Sequence, residues 1–242
     1  MPEPIQIRKP KGIALAIVSG RGLCPVDMVC SLAMQSWPTN TNFHILSLFG
    51  RDTAQGRNDA VRALREKNVK YVWFVDDDTV PPLDAGRQLA YLLDQNGPPF
   101  GKVMVAGGIY TTRSSPPEPL VFMEQGAGPF YDWKVGETFK CWGLGTGCMM
   151  INLEVFDHLP EPWFKTISEA ENRWTDDLYF CDLVAKAGFE TMAHGRILCH
   201  HYDWERGVVY CLPRNSQPYV NRIGEPLEPN FALPLTAGTS AA

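Results

Sequence analysis

The sequence predicts an α/β protein with a doubly wound, mostly parallel sheet flanked by helices and a less regular second half. Two observations predict this fold class. Short apolar and β-branched runs alternate with amphipathic stretches through residues 13–110, which is typical of parallel strands joined by crossover helices. The length of 242 residues and the hydrophobic content of 45% suit one globular domain, and no internal repeat or linker divides the chain.

The first half contains four predicted strands and three predicted helices in strict alternation. Pro25 suits the start of the first helix, because a first-turn residue needs no backbone N–H. Val61 and Leu64 share one side of the second helix, and Asp84 is a candidate N-cap for the third. The strands are Ile13–Val18, Phe43–Leu48, Tyr71–Val75 and Lys102–Ala106, and the helices are Pro25–Gln35, Arg57–Lys67 and Asp84–Gln95.

The second half has weaker periodicity. Proline-rich and glycine-rich loops are expected at 114–119 and 126–129, and residues 130–140 are expected to form a hairpin or an extended ribbon. Thr175 is the expected N-cap of a well-marked helix that ends before Gly188. The elements predicted here are the strands Cys148–Asn152, Phe189–Ala193 and Arg196–Cys199, and the helices Leu153–His158 and Thr175–Ala187.

The predicted domain organisation is one catalytic-type domain over residues 1–235. Residues of about 13–110 form a first half and those of about 111–211 a second half. A proline-rich arm is expected over 212–235, and a disordered tail over 236–242.

Composition narrows the function classes. The formal net charge is −5 and the pI is near 5.6, so the chain lacks the overall basic footprint of most nucleic-acid binders. Seven cysteines without a Cys-x-x-Cys pair argue against a disulfide framework and favour a reducing, cytoplasmic setting. The apolar run Ile13–Val18 is too short for a signal peptide, and no run is long enough to span a bilayer.

Three carboxylates follow the third predicted strand directly. The buried-type run Tyr71–Val75 ends in Asp76, Asp77 and Asp78, at the edge where a doubly wound sheet binds its ligands. Adjacent anions repel one another unless a cation lies among them. Oxygen ligands of this kind suit Mg²⁺ or Mn²⁺ holding a phosphorylated substrate. The alternative is a solvated acidic turn.

Three further groups are candidates for chemistry. Arg57-Asn58 opens a helix and suits a phosphate or a nucleobase edge, although an exposed arginine and a capping asparagine explain it equally well. Asp176-Asp177 begins another helix, where carboxylates serve either as N-caps or as a general base. Asp52 follows the second strand and is a weaker nucleobase-reading candidate.

Two other segments also carry alternatives. The pair His200–His201 follows the last short strand and suits a metal site, a structural pair near a strand end, or a zinc site with Cys181 and Cys199. The glycine-rich segment 143–147 lacks the lysine of a P-loop. Its glycines would let the backbone approach a ligand closely, and Trp142 could stack on a sugar ring or fill a core position.

Taken in order, these motifs resemble the nucleotide-sugar glycosyltransferases of the GT-A fold. The resemblance is to the broad inverting family with cellulose- and hyaluronan-type catalytic domains, which has stand-alone bacterial and phage members. The motifs that carry it are Gln55-Gly56-Arg57-Asn58, Phe74-Val75-Asp76-Asp77-Asp78, Gly107-Gly108-Ile109-Tyr110, Trp142–Cys148, Thr175–Cys181 and Cys199-His200-His201.

The resemblance implies a role for each motif. Asp76 would contact the donor ribose, with Arg57, Asn58 and Asp52 near the nucleotide. Asp78 would hold the metal together with His201, with His200 as the alternative ligand. Asp177 would be the general base, whereas Asp176 stands where the family usually has Glu. The acceptor and sugar pocket would then comprise Asp176, Trp142, Gly145 and Thr146.

The resulting prediction is a Mn²⁺- or Mg²⁺-dependent hexosyl- or pentosyltransferase that moves a sugar from a nucleotide-diphosphate donor, first of all a UDP-sugar, to an acceptor hydroxyl with inversion. The acceptor could be a glycan, a small molecule or a hydroxymethylated base in phage DNA. Two basic strips could contact DNA: one at residues 57–70, the other at Arg196, Arg206, Arg214 and Arg222. The alternatives are a sugar-phosphate nucleotidyltransferase and a non-catalytic carbohydrate-binding module.

Overall fold

The computed structural model describes residues 11–169, 172–212 and 218–225. Its helices are α1 (Val26–Ala33), α2 (Thr53–Arg65), α3 (Ala85–Asn96) and α4 (Asp176–Lys186), with a 3₁₀ helix at Leu153–Asp157. Its strands are β1 (Lys11–Ser19), β2 (Thr41–Phe49), β3 (Tyr71–Asp76), β4 (Thr79–Val80), β5 (Val103–Ile109), β6 (Val121–Phe122), β7 (Thr138–Cys141), β8 (Gly143–Leu144), β9 (Cys148–Asn152), β10 (Ile167–Glu169), β11 (Asn172–Trp174), β12 (Glu190–Leu198), β13 (His200–Asp203), β14 (Val208–Cys211) and β15 (Tyr219–Arg222).

A seven-stranded sheet in the order β2-β1-β3-β9-β5-β12-β7 forms the centre of the described residues. The strands β2, β1, β3, β5 and β12 run in one direction, and β9 and β7 run against them. One apolar cluster with α2 and α4 covers one face, and a second cluster with α1 and α3 covers the other. The predicted mostly parallel, doubly wound α/β fold is therefore confirmed.

The strand that carries the acidic run lies at the centre of this sheet. All of Tyr71–Val75 is buried, and Asp76 is the first residue of the strand with partial exposure. Helix α2 passes close behind β1, since a Cβ at Gly56 would lie 2.5 Å from Val18 Cγ1. Glycine at this position thus allows the helix to bring its next residue, Arg57, beneath the strand ends.

A second, four-stranded antiparallel sheet follows the order β15-β14-β13-β4. Its β4 begins directly after Asp78, and β13 pairs with it by placing His200 opposite Val80 and His201 opposite Thr79. This pairing brings the histidines beside the acidic run. The sequence indicated no strands over 200–211, because these runs are short and lie among polar residues.

Several element boundaries differ from the prediction. Helix α2 begins at Thr53, four residues early, because Asp52 caps it by accepting a hydrogen bond from Gln55 N (3.3 Å). Of the hairpin and the extended ribbon considered for residues 130–140, the hairpin is wrong: only β7 begins there, and it pairs with β12. The two strands expected over 189–199 are one strand, β12, with a register shift between Ala193 and Leu198.

The C-terminal part is described only in pieces. In the expected arm, residues 219–222 form β15, and 213–217 and 226–235 lie outside the described residues, as does the tail 236–242. No helix in the described ranges is long and apolar enough to cross a membrane.

Candidate active site

A cavity of about 320 Å³ opens at the C-terminal ends of β1 and β3. This is the edge where doubly wound sheets bind ligands. The acidic run forms one wall, and side chains from the loops after β1 and β5 and from β13 form the others. Its charged and aromatic lining residues are Arg21, Asp76, Asp77, Asp78, Tyr110, Arg113 and His201.

Each carboxylate of the acidic run has its own partner. Asp77 accepts a hydrogen bond from Ser19 Oγ (2.5 Å) at the end of β1. One oxygen of Asp78, Oδ2, lies 3.0 Å from Arg113 Nη1 and 3.3 Å from Arg21 Nη2. Because Asp77 and Asp78 are both buried, the solvated acidic turn is wrong for these two residues.

The second oxygen of Asp78 faces His201. The distance from Asp78 Oδ1 to His201 Nε2 is 3.4 Å, and His201 Nδ1 lies 2.7 Å from the carbonyl oxygen of Thr111. A carbonyl only accepts hydrogen bonds, so Nδ1 carries a proton, and Nε2 is the ring nitrogen that faces the carboxylate. With Nε2 deprotonated, this nitrogen and the Asp78 carboxylate would offer a cation two neighbouring ligands.

The electrostatics of Asp78 agree with this environment. Burial opposes its ionisation, but His201, Arg113 and Arg21 outweigh that effect and lower the pKa of Asp78. The carboxylate is therefore ionised at neutral pH, as a metal ligand must be.

A divalent cation fits this pair. Two neighbouring ligands of an octahedral ion with bonds near 2.1 Å lie about 3 Å apart, and the observed separation is 3.4 Å. No cluster of three or more His, Cys, Asp or Glu side chains suited to a metal exists within the described residues. The expected zinc alternative is therefore wrong, and Cys181 instead contacts the carbonyl of Leu144. An ion here would take its remaining ligands from phosphate and water, the usual arrangement for Mg²⁺ in nucleotide sites.

The two histidines have different surroundings. His201 lines the cavity, whereas His200, its neighbour on β13, points to the opposite face. Burial lowers the pKa of His200 to about 4, against a smaller opposing effect of Asp27. Of the two, His201 is the one placed to act on a ligand in the cavity.

Arg57 links two carboxylates inside the protein. Its Nη2 lies 2.6 Å from Asp76 Oδ1, and its Nη1 is hydrogen-bonded to Asp176. The guanidinium is only 3% exposed. Burial would lower the pKa of Arg57, but the charges of Asp76 and Asp176 raise it, so the group stays charged. The exposed-arginine interpretation is therefore wrong, and the structure makes Arg57 a clamp between β3 and α4.

Asp177 is half-buried at the start of α4. Its Oδ1 accepts hydrogen bonds from Thr175 Oγ1 and from Leu178 N (2.8 Å). Thr175 is the N-cap residue of α4, as expected, but its hydroxyl donates to Asp177 and makes no side-chain cap. Burial raises the pKa of Asp177, and the hydrogen bond from Thr175 opposes the rise. A carboxylate with a raised pKa is better suited to accept a proton than an ordinary aspartate.

Asn58 and Asp52 have structural partners. The Asn58 amide donates to Ala54 O (2.9 Å) and Phe164 O (2.8 Å), and its oxygen accepts from the backbone of Trp163 (3.0 Å) and Phe164 (3.1 Å). These four bonds use the whole hydrogen-bonding capacity of the side chain and leave none for a nucleotide. Asp52 serves as the N-cap of α2.

The glycine-rich segment packs against Tyr110. Gly147 N donates to the Tyr110 hydroxyl (2.9 Å), and a Cβ at Gly147 would lie 2.7 Å from the Tyr110 ring. Gly145 makes a similarly close approach to this side chain, and Thr146 is buried. Trp142 is half-buried, with its ring 6.0 Å from that of Trp174. The predicted acceptor contacts of Trp142, Gly145 and Thr146 stay predictions.

Three cavity residues were given no role by the sequence interpretation, although Tyr110 belongs to one of its motifs. Arg21 and Arg113 are isolated in sequence, and only the strand order brings the loops after β1 and β5 together. Tyr110 supports His201 through an edge-to-face ring contact at 5.1 Å, and burial keeps its phenol neutral by raising its pKa. In the sequence, the signal that could have indicated Arg21 was the pair Gly20-Arg21 directly after the first strand.

The basic strip at residues 57–70 is largely neutralised. Arg62 pairs with Glu161 and Asp59, and Arg65 pairs with Asp157. Lys70 pairs with Asp94. Arg214 lies outside the described residues. With Arg57 buried, residues 57–70 do not form the free positive strip expected for DNA.

Comparison with known proteins supports the fold. No protein-family profile and no curated protein matches the chain. The solved structure of A197 from STIV is similar, with a TM-score of 0.59 at 18% identity over 89% of this chain and 97% of that one. GalNAc-T7, solved with UDP, GalNAc and Mn²⁺, has a TM-score of 0.51 at 8% identity over 78% of this chain. This chain spans 43% of the GalNAc-T7 chain. The described residues thus have the GT-A type of α/β fold.

Proposed function

We propose that this chain is a divalent-metal-dependent glycosyltransferase that uses a nucleotide-diphosphate sugar, with a UDP-sugar as the first candidate. The facing pair Asp78–His201, beside two arginines in a cavity at the strand ends, carries the proposal. GalNAc-T7, which has a similar fold, was solved with UDP and Mn²⁺, which supports the choice of donor and ion.

In this proposal Asp78 and His201 hold Mn²⁺ or Mg²⁺. The ion, when bound, stabilises the charge of the departing diphosphate. Arg21 and Arg113 now neutralise Asp78, and they would turn to the phosphate oxygens, for which guanidinium groups have complementary geometry. Each arginine would thereby exchange the Asp78 carboxylate for a phosphate oxygen. The metal ion would neutralise Asp78 in their place, so no buried charge would be left unpaired.

The transfer step needs one base and one correctly held sugar. The acceptor hydroxyl oxygen attacks the anomeric carbon, its proton passes to Asp177, and the sugar–phosphate bond breaks with its electrons leaving on the nucleoside diphosphate. Arg57 holds α4 against β3, so the base keeps its position relative to the donor. The proposed outcome is inversion, and NMR of the product's anomeric proton would test it.

A thermal-shift titration tests the binding part. Mn²⁺ together with UDP should raise the melting temperature more than either alone, because a ligand selective for the native state stabilises it. His201→Ala should abolish this joint effect. An equal shift in the variant would contradict the proposed metal site.

Turnover assays separate the enzyme classes. Release of UDP from a UDP-sugar, accelerated by an acceptor, supports the transferase. Formation of pyrophosphate from a nucleoside triphosphate and a sugar 1-phosphate would instead identify a nucleotidyltransferase. A binding module would bind the donor and release nothing.

A further inference from the structure

The outer edge of β2 carries an unusual apolar surface. This nine-residue strand, Thr41–Phe49, contains no Asp, Glu, Lys, Arg or Pro. It is the last strand of the central sheet, and within the described ranges no strand pairs with its outer edge. Edge strands of monomeric proteins usually carry charges, prolines or bulges that prevent association. The β2 edge has none of these.

One face of β2 is also exposed and hydrophobic. Phe43, Ile45 and Phe49 alternate along the strand and so share a face, and Ile45 is 65% exposed and Phe49 61%. The opposite face carries Leu46 and Leu48, which pack on the core beside α2. The strand is therefore anchored on one face. On the other face Ile45 and Phe49 are uncovered, and Phe43 packs against Trp37, with ring centroids 4.2 Å apart.

Helix α1 extends this surface on the same side of the sheet. Met28 and Ser31 are its buried residues, and Asp27 reaches the Tyr202 hydroxyl (2.5 Å) on the flank toward β13. On a helix with 3.6 residues per turn, Val29 then lies on the flank away from Asp27, and Val26 lies on the outer side, opposite the buried residues. Val26 is 75% exposed.

We define the edge patch as Leu23, Val26, Val29, Phe43, Ile45 and Phe49. Leu23 joins it because its neighbour Gly22 lies against the Phe49 ring. From their exposed fractions these residues, backbone atoms included, present on the order of 700 Å² of surface, and the largest apolar patch on a typical monomer is about 300–600 Å². A standard protein interface buries about 800 Å² per partner.

We propose that a second copy of this chain covers the edge patch, by antiparallel pairing of β2 with its counterpart across a two-fold axis perpendicular to the sheet. Such an axis keeps the two edge patches on the same side of a continuous sheet. Odd-numbered residues of β2 then lie opposite odd-numbered residues, which joins apolar to apolar side chains.

The unpaired backbone groups of β2 favour a second copy of the chain over a lipid surface as the partner that covers the edge patch. The outward N–H and C=O groups of β2 need hydrogen-bonding partners when the patch is covered, and hydrocarbon provides none. An identical strand satisfies them along its whole length. The proposal is independent of the proposed glycosyltransferase activity, because the edge patch lies outside the cavity at Asp78.

The test is the mass of the full-length chain in solution. Light scattering after size exclusion, at loadings of about 1–100 μM, should give about 54 kDa, twice the 27.1 kDa of one chain. Ile45→Lys should give the single-chain mass, because it places a charge at the seam on each copy. Val29→Glu on α1 should do the same without altering the strand. Phe100→Lys, which replaces an exposed phenylalanine outside the edge patch (79% exposed), should stay dimeric.

Four results would overturn the proposal. The first is a wild-type chain that remains monomeric throughout this range. The second is an Ile45→Lys variant with unchanged circular dichroism that still dimerises. The third is a monomer that dimerises only after removal of residues 1–10, which would identify the chain's own terminus as the occupant. Binding of a monomeric wild type to phosphatidylcholine vesicles would likewise contradict it and favour a lipid-facing surface.

Discussion

Replacing Arg57 with methionine should destabilise the protein strongly, through the two carboxylates that it leaves behind. The guanidinium is 3% exposed and contacts both Asp76 and Asp176. Removing one partner from a buried ion pair costs about 3–5 kcal/mol. For a domain of this length each kcal/mol lowers the melting temperature by about 2–4 °C, so we expect a decrease of roughly 6–20 °C.

The pH dependence of this loss identifies its cause. Burial already raises the pKa of Asp76, and without Arg57 it should rise further. A folded-state pKa above the unfolded value of about 3.9 means that native-state protonation stabilises the variant in acid. That stabilisation is lost as the pH rises through the folded pKa. The difference in melting temperature between wild type and variant should therefore be smallest near pH 4 and largest at neutral pH.

Arg62→Met is the matched control, because it lies on the same helix and also pairs with carboxylates. Arg62 is 49% exposed, and its pairs with Glu161 and Asp59 are at the surface. Such pairs contribute about 0–1 kcal/mol. Calorimetric melting of both variants from pH 4 to 8 is the assay. If Arg57→Met melts within about 2 °C of Arg62→Met at neutral pH, the buried clamp does not have the energy assigned to it.

Three further outcomes are expected at the other site residues. Asp177→Asn should reduce sugar transfer by about 10²–10⁴-fold while donor binding by calorimetry persists, and wild-type activity should fall as the pH drops through the raised pKa of Asp177; unchanged turnover would exclude it as the base. His201→Ala should lose the Mn²⁺-dependent part of UDP binding and His200→Gln should keep it, so equal losses would contradict the assignment of His201. Wild type should lose stability as the pH falls from about 6.5 toward 4, since the unfolded state protonates His200 first, and denaturant titrations should show less of this loss in His200→Gln.

Much of the fold could be predicted because it depends on local patterns. The alternation of apolar runs and amphipathic helices is visible residue by residue, and β3 and β9 were located to within a residue. The antiparallel insertion of β9 between β3 and β5 could not be foreseen, because strand order depends on contacts far apart in sequence. The strands of the second sheet are short, which gives too few periods to detect.

The candidate site shows the same division. The acidic run and the two histidines are compact in sequence and could be recognised as candidates. The ion pairs of Arg57 with Asp176 and of Arg113 with Asp78 join residues 119 and 35 positions apart. Arg57 was interpreted as an exposed or ligand-binding side chain. In the structure it is buried between Asp76 and Asp176 and holds β3 and α4 together. The interpretation of Asn58 changed for a similar reason, because three of its four backbone hydrogen bonds are with residues 163 and 164, far away in the sequence.

The position of β9 also limits how this protein can move. The strand comes from the second half of the sequence but lies between β3 and β5 of the first half, and its preceding residue Gly147 accepts a hydrogen bond from Asp76 N (3.2 Å). The two halves therefore share one hydrogen-bonded layer and cannot swing apart as hinged lobes. A change in the shape of the cavity would therefore come from the loops that carry Arg21 and Arg113, while the sheet unfolds as one cooperative unit.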